Sequence, residues 1–321
     1  SQQRQLPWAP AAAPPARAPA AAPPPQQHRH HQPPHRFRWA ADVTAELERA
    51  AVPLASRPKE ELASIARDNW RLLQAGSYRA GGVAHGLGVG GFANRTSQVA
   101  PQPGGRILQP RYRETRVAVA AVDTATALRV LCDHEPAALN FANAYHVGGG
   151  YLSGARAQEE DLCRLMPQLY SQLRRLRYPI APRAAHYTQT LLCRRAGSYE
   201  LAPPLRVAII SSAMPNLGGA AGGRKGTPRA GSAEWEETVR LRIRAVLAAA
   251  VAEQHPAVVL GAFGCGAFGN PPADVARLFA EVLASDEFRG ALELVVFAIV
   301  DPKQADRGNI PTFRRALRAL C

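Results

Sequence analysis

The chain has 321 residues and carries 39 Lys and Arg against 25 Asp and Glu, which gives a formal charge of +14. This length suits one large α/β domain with tails or two domains, and the excess of positive charge favours polyanionic partners. Because neither a run of about 18 apolar residues nor an apolar leader occurs, we expect no membrane-spanning helix and no secretion.

The cysteines and histidines do not form the patterns of a metal site or a disulfide framework. The number of cysteines is odd, and no two of them have CxxC spacing. They are Cys132, Cys163, Cys193, Cys265 and Cys321. We therefore expect free thiols in a reducing interior, an intracellular location in the cytoplasm or nucleus, and no structural metal.

The first part of the chain divides into an arm and a helical extension. Residues 1–38 are almost all Pro, Ala, Gln, His and Arg, without an acidic residue, which predicts a disordered arm. Residues 39–116 predict an N-terminal extension packed on the core, with one helix over 42–54 and another from 56 to about 76. The rest of this extension has weak signals, so we expect it to be irregular or weakly stranded.

From residue 117 to residue 321, short apolar runs alternate with helical patterns, which predicts the core on which the extension packs. Strands are predicted at 117–122, 137–141, 207–213, 257–263 and 292–300. Helices are predicted at 123–131, 162–176, 234–253, 272–283 and 311–320. Continuous apolar strands between helices favour a mostly parallel sheet covered on both faces. Residues 218–231 are rich in glycine and predict a flexible loop.

In such a sheet, ligands bind beyond the carboxyl ends of the strands, and a glycine-rich segment follows the fourth strand. Residues 264–269 spell GxGxxG between a strand and a helix, so their N–H groups and the helix start suit a diphosphate. Only one clear strand follows, whereas a dinucleotide-binding half needs more, so an NAD site agrees poorly with the pattern. Phe268 lies inside this glycine loop, where its ring either stacks on a ligand or packs the loop.

A second unusual segment follows the second strand. Three consecutive glycines at 148–150 disfavour helix and strand, and they allow a ligand to approach the backbone closely. Gln158, Glu159 and Glu160 stand after a spacer of seven residues, directly before an amphipathic helix. The helix dipole favours two carboxylates at this position, but their place beside the predicted phosphate loop also suits acid–base catalysis.

The order of these motifs resembles the signature of poly(ADP-ribose) glycohydrolases, which are macrodomain enzymes. That signature is GGG, six to eight residues and QEE, and seven residues separate the two motifs here. Residues 140–143 (NFAN), 213–217 (AMPNL) and 261–271 (GAFGCGAFGNP) are similar to the shorter microbial type of this enzyme. The resemblance covers roughly residues 56–320.

The resemblance implies a macrodomain-like three-layer α/β/α sandwich with a mixed, mostly parallel sheet, and it implies ADP-ribose as the ligand. Glu160 would be the catalytic acid, Glu159 would orient the ribose, and the loop at 264–270 would bind the diphosphate. Asn143 would bond the distal ribose, and Asp123 is assigned to the adenine end by position alone. Besides the two glutamates, the site would comprise Asn143, Gly148, Gly149, Gly150, Gln158, Gly264, Cys265, Gly266, Ala267, Phe268, Gly269, Asn270 and Asp123.

The implied reaction cleaves a ribose–ribose O-glycosidic bond through an oxocarbenium-like state. Glu160 would give a proton to the leaving 2′-hydroxyl and then, as a carboxylate, activate the attacking water. Burial and the neighbouring charge of Glu159 should raise the pKa of Glu160 for this role. Neither a metal nor a redox cofactor is required.

Other functions would use the same residues. A non-catalytic ADP-ribose-binding module would not need the second carboxylate, whereas a mono-ADP-ribosyl hydrolase acting on protein or nucleic acid would share the pocket. The only feature that favours an NAD-dependent oxidoreductase is the GxGxxG pattern. From the resemblance we expect a monomer that acts on poly(ADP-ribose) or ADP-ribosylated protein, cleaves from chain ends and serves the DNA damage response. The basic arm would add weak nucleic-acid contact.

Overall fold

The computed structural model describes residues 40–54, 56–99, 110–218, 226–300 and 308–321. The predicted arm at 1–38 lies outside the described residues, as do residues 219–225 of the predicted flexible loop. Both interpretations therefore stay predictions.

The described residues form a two-stranded hairpin, a larger sheet and the helices that cover it. The strands are β1 (Ser77–Ala80), β2 (Val83–Gly86), β3 (Asn94–Gln98), β4 (Arg116–Ala120), β5 (Ala137–Phe141), β6 (Ala184–Arg194), β7 (Leu201–Ser212), β8 (Ala257–Leu260) and β9 (Leu294–Ala298). The α-helices are α1 (Ala40–Ala50), α2 (Lys59–Ala75), α3 (Thr124–Val130), α4 (Gln158–Leu165), α5 (Leu169–Leu173), α6 (Ala233–Ala252), α7 (Pro272–Ala284) and α8 (Asn309–Leu317).

The larger sheet has seven strands in the order β3-β6-β7-β5-β8-β9-β4. Every neighbouring pair from β7 to β4 is parallel, whereas β3 pairs with β6 and β6 pairs with β7 in antiparallel fashion. The predicted mixed, mostly parallel α/β sheet is therefore confirmed. Because β5 and β8 are parallel neighbours, the segments that follow them lie at the same edge of the sheet.

Helices cover both faces of this sheet and make a three-layer sandwich. Successive residues of a strand point to opposite faces, so Val258 packs with α6, α7 and α8, and Val259 packs with α1, α3, α4 and α5. On the first face, the Phe297 ring lies 5.1 Å from Phe279 and 5.5 Å from Phe313. Buried apolar residues therefore line both faces of the sheet. The two candidate segments lie outside these layers, at the edge where β5 and β8 end.

Two differences from the predicted elements have local physical causes. The single helix predicted over 162–176 is wrong, because Pro167 disfavours helical geometry at Met166 and the chain breaks there into α4 and α5. The sequence did not predict β6, because polar residues alternate with apolar ones and the strand lacks a continuous apolar run. Its polar side chains are nevertheless buried, since Thr188 donates to Asn94 of β3 at 2.9 Å.

The predicted extension at 39–116 contains more than helices. Helix α1 packs on β4 and α3, and α2 packs on α4. The stretch expected to be irregular or weakly stranded includes β1, β2 and β3, and β3 joins the larger sheet as an edge strand. The boundary at residue 117 stays a prediction, although the sheet takes one strand from before it. None of the described helices is long and apolar enough to cross a membrane.

Candidate active site

The two segments singled out in the sequence meet at the carboxyl edge of β5 and β8, and Phe141 links them. The N–H group of Phe141, the last residue of β5, donates to Gln158 Oε1 at 2.9 Å. Its ring centroid lies 5.6 Å from that of Phe263, and a Cβ built on Gly261 would stand 2.7 Å from its Cζ. One side chain therefore joins the start of α4 to the base of the glycine loop after β8.

The three glycines after β5 wrap tightly around two carboxyl groups, Glu159 and Glu160, which we call the carboxyl pair. Gly149 has a φ of +51°, and a Cβ there would lie 2.4 Å from Glu160 Oε1 and 3.3 Å from Glu159 Oε2. Gly148 has a φ of +66°, and a Cβ there would lie 2.6 Å from Tyr170 Cδ2. Glycine is thus required both by the left-handed backbone and by the closeness of the carboxyl pair.

Glu159 is buried and held on both oxygens. Only 2% of its surface is exposed, Oε2 accepts from the Asn143 N–H at 2.8 Å, and Oε1 accepts from Asn140 Nδ2 at 3.4 Å. Burial raises the pKa of Glu159 to about 8, and the charge of Glu160 adds to the rise against the opposing hydrogen bonds. Glu159 therefore retains its proton at neutral pH.

Glu160 has one fixed and one free oxygen. Its Oε1 accepts from the Gly150 N–H at 2.8 Å, whereas Oε2 is buried and has no hydrogen-bond partner among the described residues. A buried carboxyl oxygen without a partner is uncommon and is often explained by a functional role. Oε2 is therefore the carboxyl oxygen of the pair that no group in the described part of the chain engages.

The Gln158 side chain forms its hydrogen bonds within the protein. Its Nε2 donates to the Leu139 carbonyl at 2.7 Å and to Thr124 Oγ1 at 3.2 Å, while Oε1 accepts from Phe141. Because both N–H donors are engaged, we reassign Gln158 from contacting substrate to fixing α4 on the end of β5.

Asn143 has a free amide group at the site. Its Oδ1 accepts from the N–H groups of Tyr145 and His146, both at 3.0 Å, so the side chain shapes the turn before the glycines. Among the described residues, its Nδ2 has no hydrogen-bond partner. This amide group is therefore available to donate to a ribose hydroxyl.

The glycine loop after β8 offers a row of backbone donors. Within the described residues, the N–H groups of Gly266, Ala267 and Phe268 have no backbone acceptor. Gly264 has a φ of +74°, and a Cβ there would lie 2.5 Å from Met214 Cβ. Three consecutive free N–H groups beside the start of α7 form a concave donor set that suits an anion such as a diphosphate.

Asn270 and Cys265 support the loop from inside. The Asn270 side chain is 1% exposed, accepts from Trp235 Nε1 at 2.9 Å and donates to the carbonyls of Pro215 and Gly264 at 2.9 and 3.0 Å. We therefore reassign Asn270 from contacting substrate to bracing the loop. Burial raises the pKa of the Cys265 thiol to about 12, so this group stays protonated.

The Phe268 ring and one carboxyl oxygen of Asp123 are the remaining candidate contacts. The Phe268 side chain is half-buried and packs in part against the core, so both interpretations of its ring remain open. Asp123 caps α3, with Oδ1 accepting from the Thr126 N–H at 2.9 Å, while its buried Oδ2 has no partner in the described part of the chain. The free Oδ2 supports, without testing, the adenine-end assignment.

Sequence reasoning missed the polar support beneath the carboxyl pair. Asn69 of α2 is 1% exposed, donates to the carbonyls of Cys163 and Arg164 at 3.2 and 2.8 Å, and accepts from Arg194 Nε at 2.9 Å. Its Nδ2 also lies 3.1 Å from the Tyr151 hydroxyl. The one signal in the sequence was an asparagine on the apolar face of α2, at helical spacing from buried residues.

The chain is similar to known proteins in sequence and in structure. A family model described as "Microbial-type PARG, catalytic domain" matches residues 66–192, where PARG denotes poly(ADP-ribose) glycohydrolase. The structure of the PARG from Thermomonospora curvata bound to the inhibitor ADP-HPD is 33% identical with a TM-score of 0.65. That match covers 80% of this chain and 99% of the Thermomonospora chain.

The chain belongs to the microbial-type PARG family. A point mutant of the PARG from Deinococcus radiodurans, in complex with ADP-ribose, is 35% identical with a TM-score of 0.56, over 67% of this chain and 90% of that chain. A further Deinococcus PARG complex with ADP-ribose is 28% identical with a TM-score of 0.57, over 89% of this chain and all of that chain. No curated protein sequence matches significantly. Membership of the PARG family confirms the resemblance, the macrodomain-like fold and the glycosidase class.

Proposed function

We propose that this chain hydrolyses the ribose–ribose O-glycosidic bonds of poly(ADP-ribose) and that Glu160 is its general acid and base. The observation that carries the proposal is the free, buried Glu160 Oε2 beside a fixed Glu159. Both groups lie at the sheet edge that they share with three free backbone N–H groups. A PARG needs this combination, an acid for the sugar and donors for the diphosphate, at one edge.

The carboxyl pair supports a proton-transfer role for Glu160. Burial keeps a proton on Glu159 at neutral pH, so Glu159 adds little negative charge beside Glu160. Glu159 is held on both oxygens by neighbouring N–H groups, whereas Glu160 Oε2 has no partner among the described residues. Glu160 is therefore the member whose free oxygen we assign to the reaction: it gives a proton to the leaving 2′-oxygen as the glycosidic bond breaks.

The second half of the reaction returns the proton. After the leaving chain departs, the Glu160 carboxylate accepts a proton from water, which attacks the anomeric carbon and completes hydrolysis. The Gly150 N–H bond to Oε1 keeps the carboxylate aimed throughout. General acid–base help of this kind contributes about 10²- to 10⁴-fold to the rate.

The ligand would span the edge from the glycine loop to the carboxyl pair. The N–H groups of Gly266, Ala267 and Phe268 would bind the diphosphate, and Asn143 Nδ2 would bond a hydroxyl of the distal ribose. Asp123 Oδ2 would accept from the adenine amino group. The residues that we assign to the substrate are thus fewer than the sequence predicted, because Gln158 and Asn270 have partners within the protein.

Release of free ADP-ribose from poly(ADP-ribose) tests the proposal. We expect Glu160→Gln to bind ADP-ribose as the native chain does but to lose activity by about 10²-fold or more. Glu200→Gln, which changes an exposed glutamate in the same way, is the matched control and should keep full activity. Near-native turnover by Glu160→Gln would refute the assignment, and cleavage of mono-ADP-ribosylated protein without polymer cleavage would favour the alternative hydrolase.

Finer expectations stay predictions. They are cleavage from chain ends, a monomeric and intracellular protein, a role in the DNA damage response, and weak nucleic-acid contact through residues 1–38. Product size distinguishes the cleavage modes, since attack at ends yields only single ADP-ribose units at early times. Deleting residues 1–38 should weaken polymer affinity mainly at low salt if the arm contributes.

A further inference from the structure

Helix α2 presents an exposed face that combines two cations with a tryptophan. Arg67, Trp70, Arg71 and Gln74 are spaced i, i+3, i+4 and i+7, so they share one side of the helix, and all four are exposed. Trp70 is 54% exposed, which is unusual for so large an apolar side chain. We call these four residues the α2 face.

The charges of the α2 face are unbalanced within the described part of the chain. Neither Arg67 nor Arg71 forms an ion pair or hydrogen bond with any described residue, and they repel each other at i, i+4 spacing. The nearby acidic residue of the helix cannot compensate, because Asp68 bonds to the buried Arg194. The helix thus tolerates repulsion and an exposed indole that folding does not require.

Helix α2, which carries this face, contacts the segments of the active site at two places. Asn69, the neighbour of Trp70, donates to the backbone of α4, the helix that carries the carboxyl pair. At its other end, α2 meets the loop that joins the three glycines to α4, since a Cβ on Gly154 would stand 2.1 Å from the Lys59 carbonyl. Arg67 and Trp70 lie eight and eleven positions after Lys59, so they stand about 12 and about 16 Å along the helix from that loop.

We propose that the α2 face binds further units of the poly(ADP-ribose) chain whose terminal unit occupies the active site. Each unit offers an adenine ring that can stack on Trp70 and a diphosphate that can bind Arg67 and Arg71. The inference rests on the proposed function, because that function supplies a polymer next to α2. A single ADP-ribose bound in the active site leaves the α2 face unoccupied, so under this proposal the α2 face favours longer substrates.

Affinities in the Glu160→Gln background, where the polymer persists, test this inference. The ligands are ADP-ribose, labelled poly(ADP-ribose) of about 20 units and a single-stranded DNA of matched charge. We expect Trp70→Ala to weaken polymer binding about tenfold and Arg67→Gln/Arg71→Gln to lower the salt dependence, as a log–log slope, by about 1.4. ADP-ribose affinity and the thermal midpoint should not change, and Trp70→Phe should restore most of the polymer affinity.

A matched double substitution on α8 provides the control. Arg315→Gln/Arg318→Gln removes the same charge from exposed positions elsewhere and should leave polymer affinity within about twofold of native. Unchanged polymer affinity in the α2-face variants, or an equal loss in the α8 control, would overturn the inference. A loss confined to DNA would also overturn it and would identify a nucleic-acid surface. Polymer cleavage by the native chain distinguishes failure of this inference from failure of the proposed function.

Discussion

Replacing Glu159 by Gln should change how the stability of the protein depends on pH. The pKa of Glu159 is about 8 in the folded protein against 4.5 for an unperturbed glutamate, so the folded state binds this proton more tightly than the unfolded state. A raised pKa contributes stability that is full below about pH 4.5 and is lost as the pH rises through 8. The native chain should therefore lose stability over this range through Glu159, whereas the glutamine variant should not.

The size of this effect follows from the two pKa values. Each pH unit between them is worth about 1.36 kcal/mol, so between pH 5 and pH 8 the contribution of Glu159 falls by about 3 to 4 kcal/mol. The variant also loses an acceptor for the Asn140 amide or the Asn143 N–H, which costs about 1 kcal/mol at every pH. The difference between the two pH values is thus the informative quantity.

Urea unfolding of both proteins at pH 5 and pH 8 measures that difference. We expect the variant to lie within about 1 kcal/mol of the native chain at pH 5 and to exceed its stability by about 3 kcal/mol at pH 8. Glu200→Gln is the control and should follow the native chain at both pH values. A constant gap between Glu159→Gln and the native chain would refute the reasoning that Glu159 holds a proton because it is buried.

Three further predictions concern the loops and the reaction. Gly149→Ala should abolish activity and lower the thermal midpoint, because its Cβ would lie 2.4 Å from Glu160 Oε1. Gly266→Ala is the control and should keep the native midpoint, because a Cβ there meets no atom within 4 Å. Equal midpoints for the two variants would contradict this prediction. Asn270→Ala should cost about 2 to 4 kcal/mol by urea unfolding, since it strands the buried Trp235 indole N–H, and a loss below about 1 kcal/mol would argue against the bracing role. Turnover of poly(ADP-ribose) should fall as the pH rises through about 8, where Glu159 loses its proton and a negative charge develops beside Glu160. A flat kcat profile from pH 6 to 9 would exclude this.

The sequence predicted the elements whose apolar pattern is unbroken. Strand β5 is found with the predicted bounds, and α6 and α7 lie within a residue or so of theirs. Strands β3 and β6 escaped prediction because their burial depends on side-chain partners such as Asn94 with Thr188, which only the folded chain brings together. Pro167 indicates the break after α4 in the sequence, and the prediction of one helix over 162–176 did not take it into account.

The sequence predicted which segments form the candidate site, but not which of their side chains are bonded within the protein. Glycine spacing and the adjacent glutamates indicated which segments carry the chemistry, and parallel β5 and β8 brought them to one edge. Sequence could not tell that Gln158 and Asn270 are consumed by internal hydrogen bonds, because their partners come from distant segments. The resemblance assigned different roles to Glu159 and Glu160, but the free oxygen of Glu160 depends on the fold of the glycine loop and could not be predicted.

A structure of the protein crystallised with ADP-ribose tests the central claim most directly, because the claim is that both loops bind one molecule. We expect diphosphate oxygens within hydrogen-bond distance of the N–H groups of Gly266, Ala267 and Phe268. In the same complex, the distal ribose should lie against Asn143 and present its anomeric carbon to the side of Glu160 Oε2. A diphosphate bound away from the glycine loop, or a distal ribose out of reach of the carboxyl pair, would contradict the account.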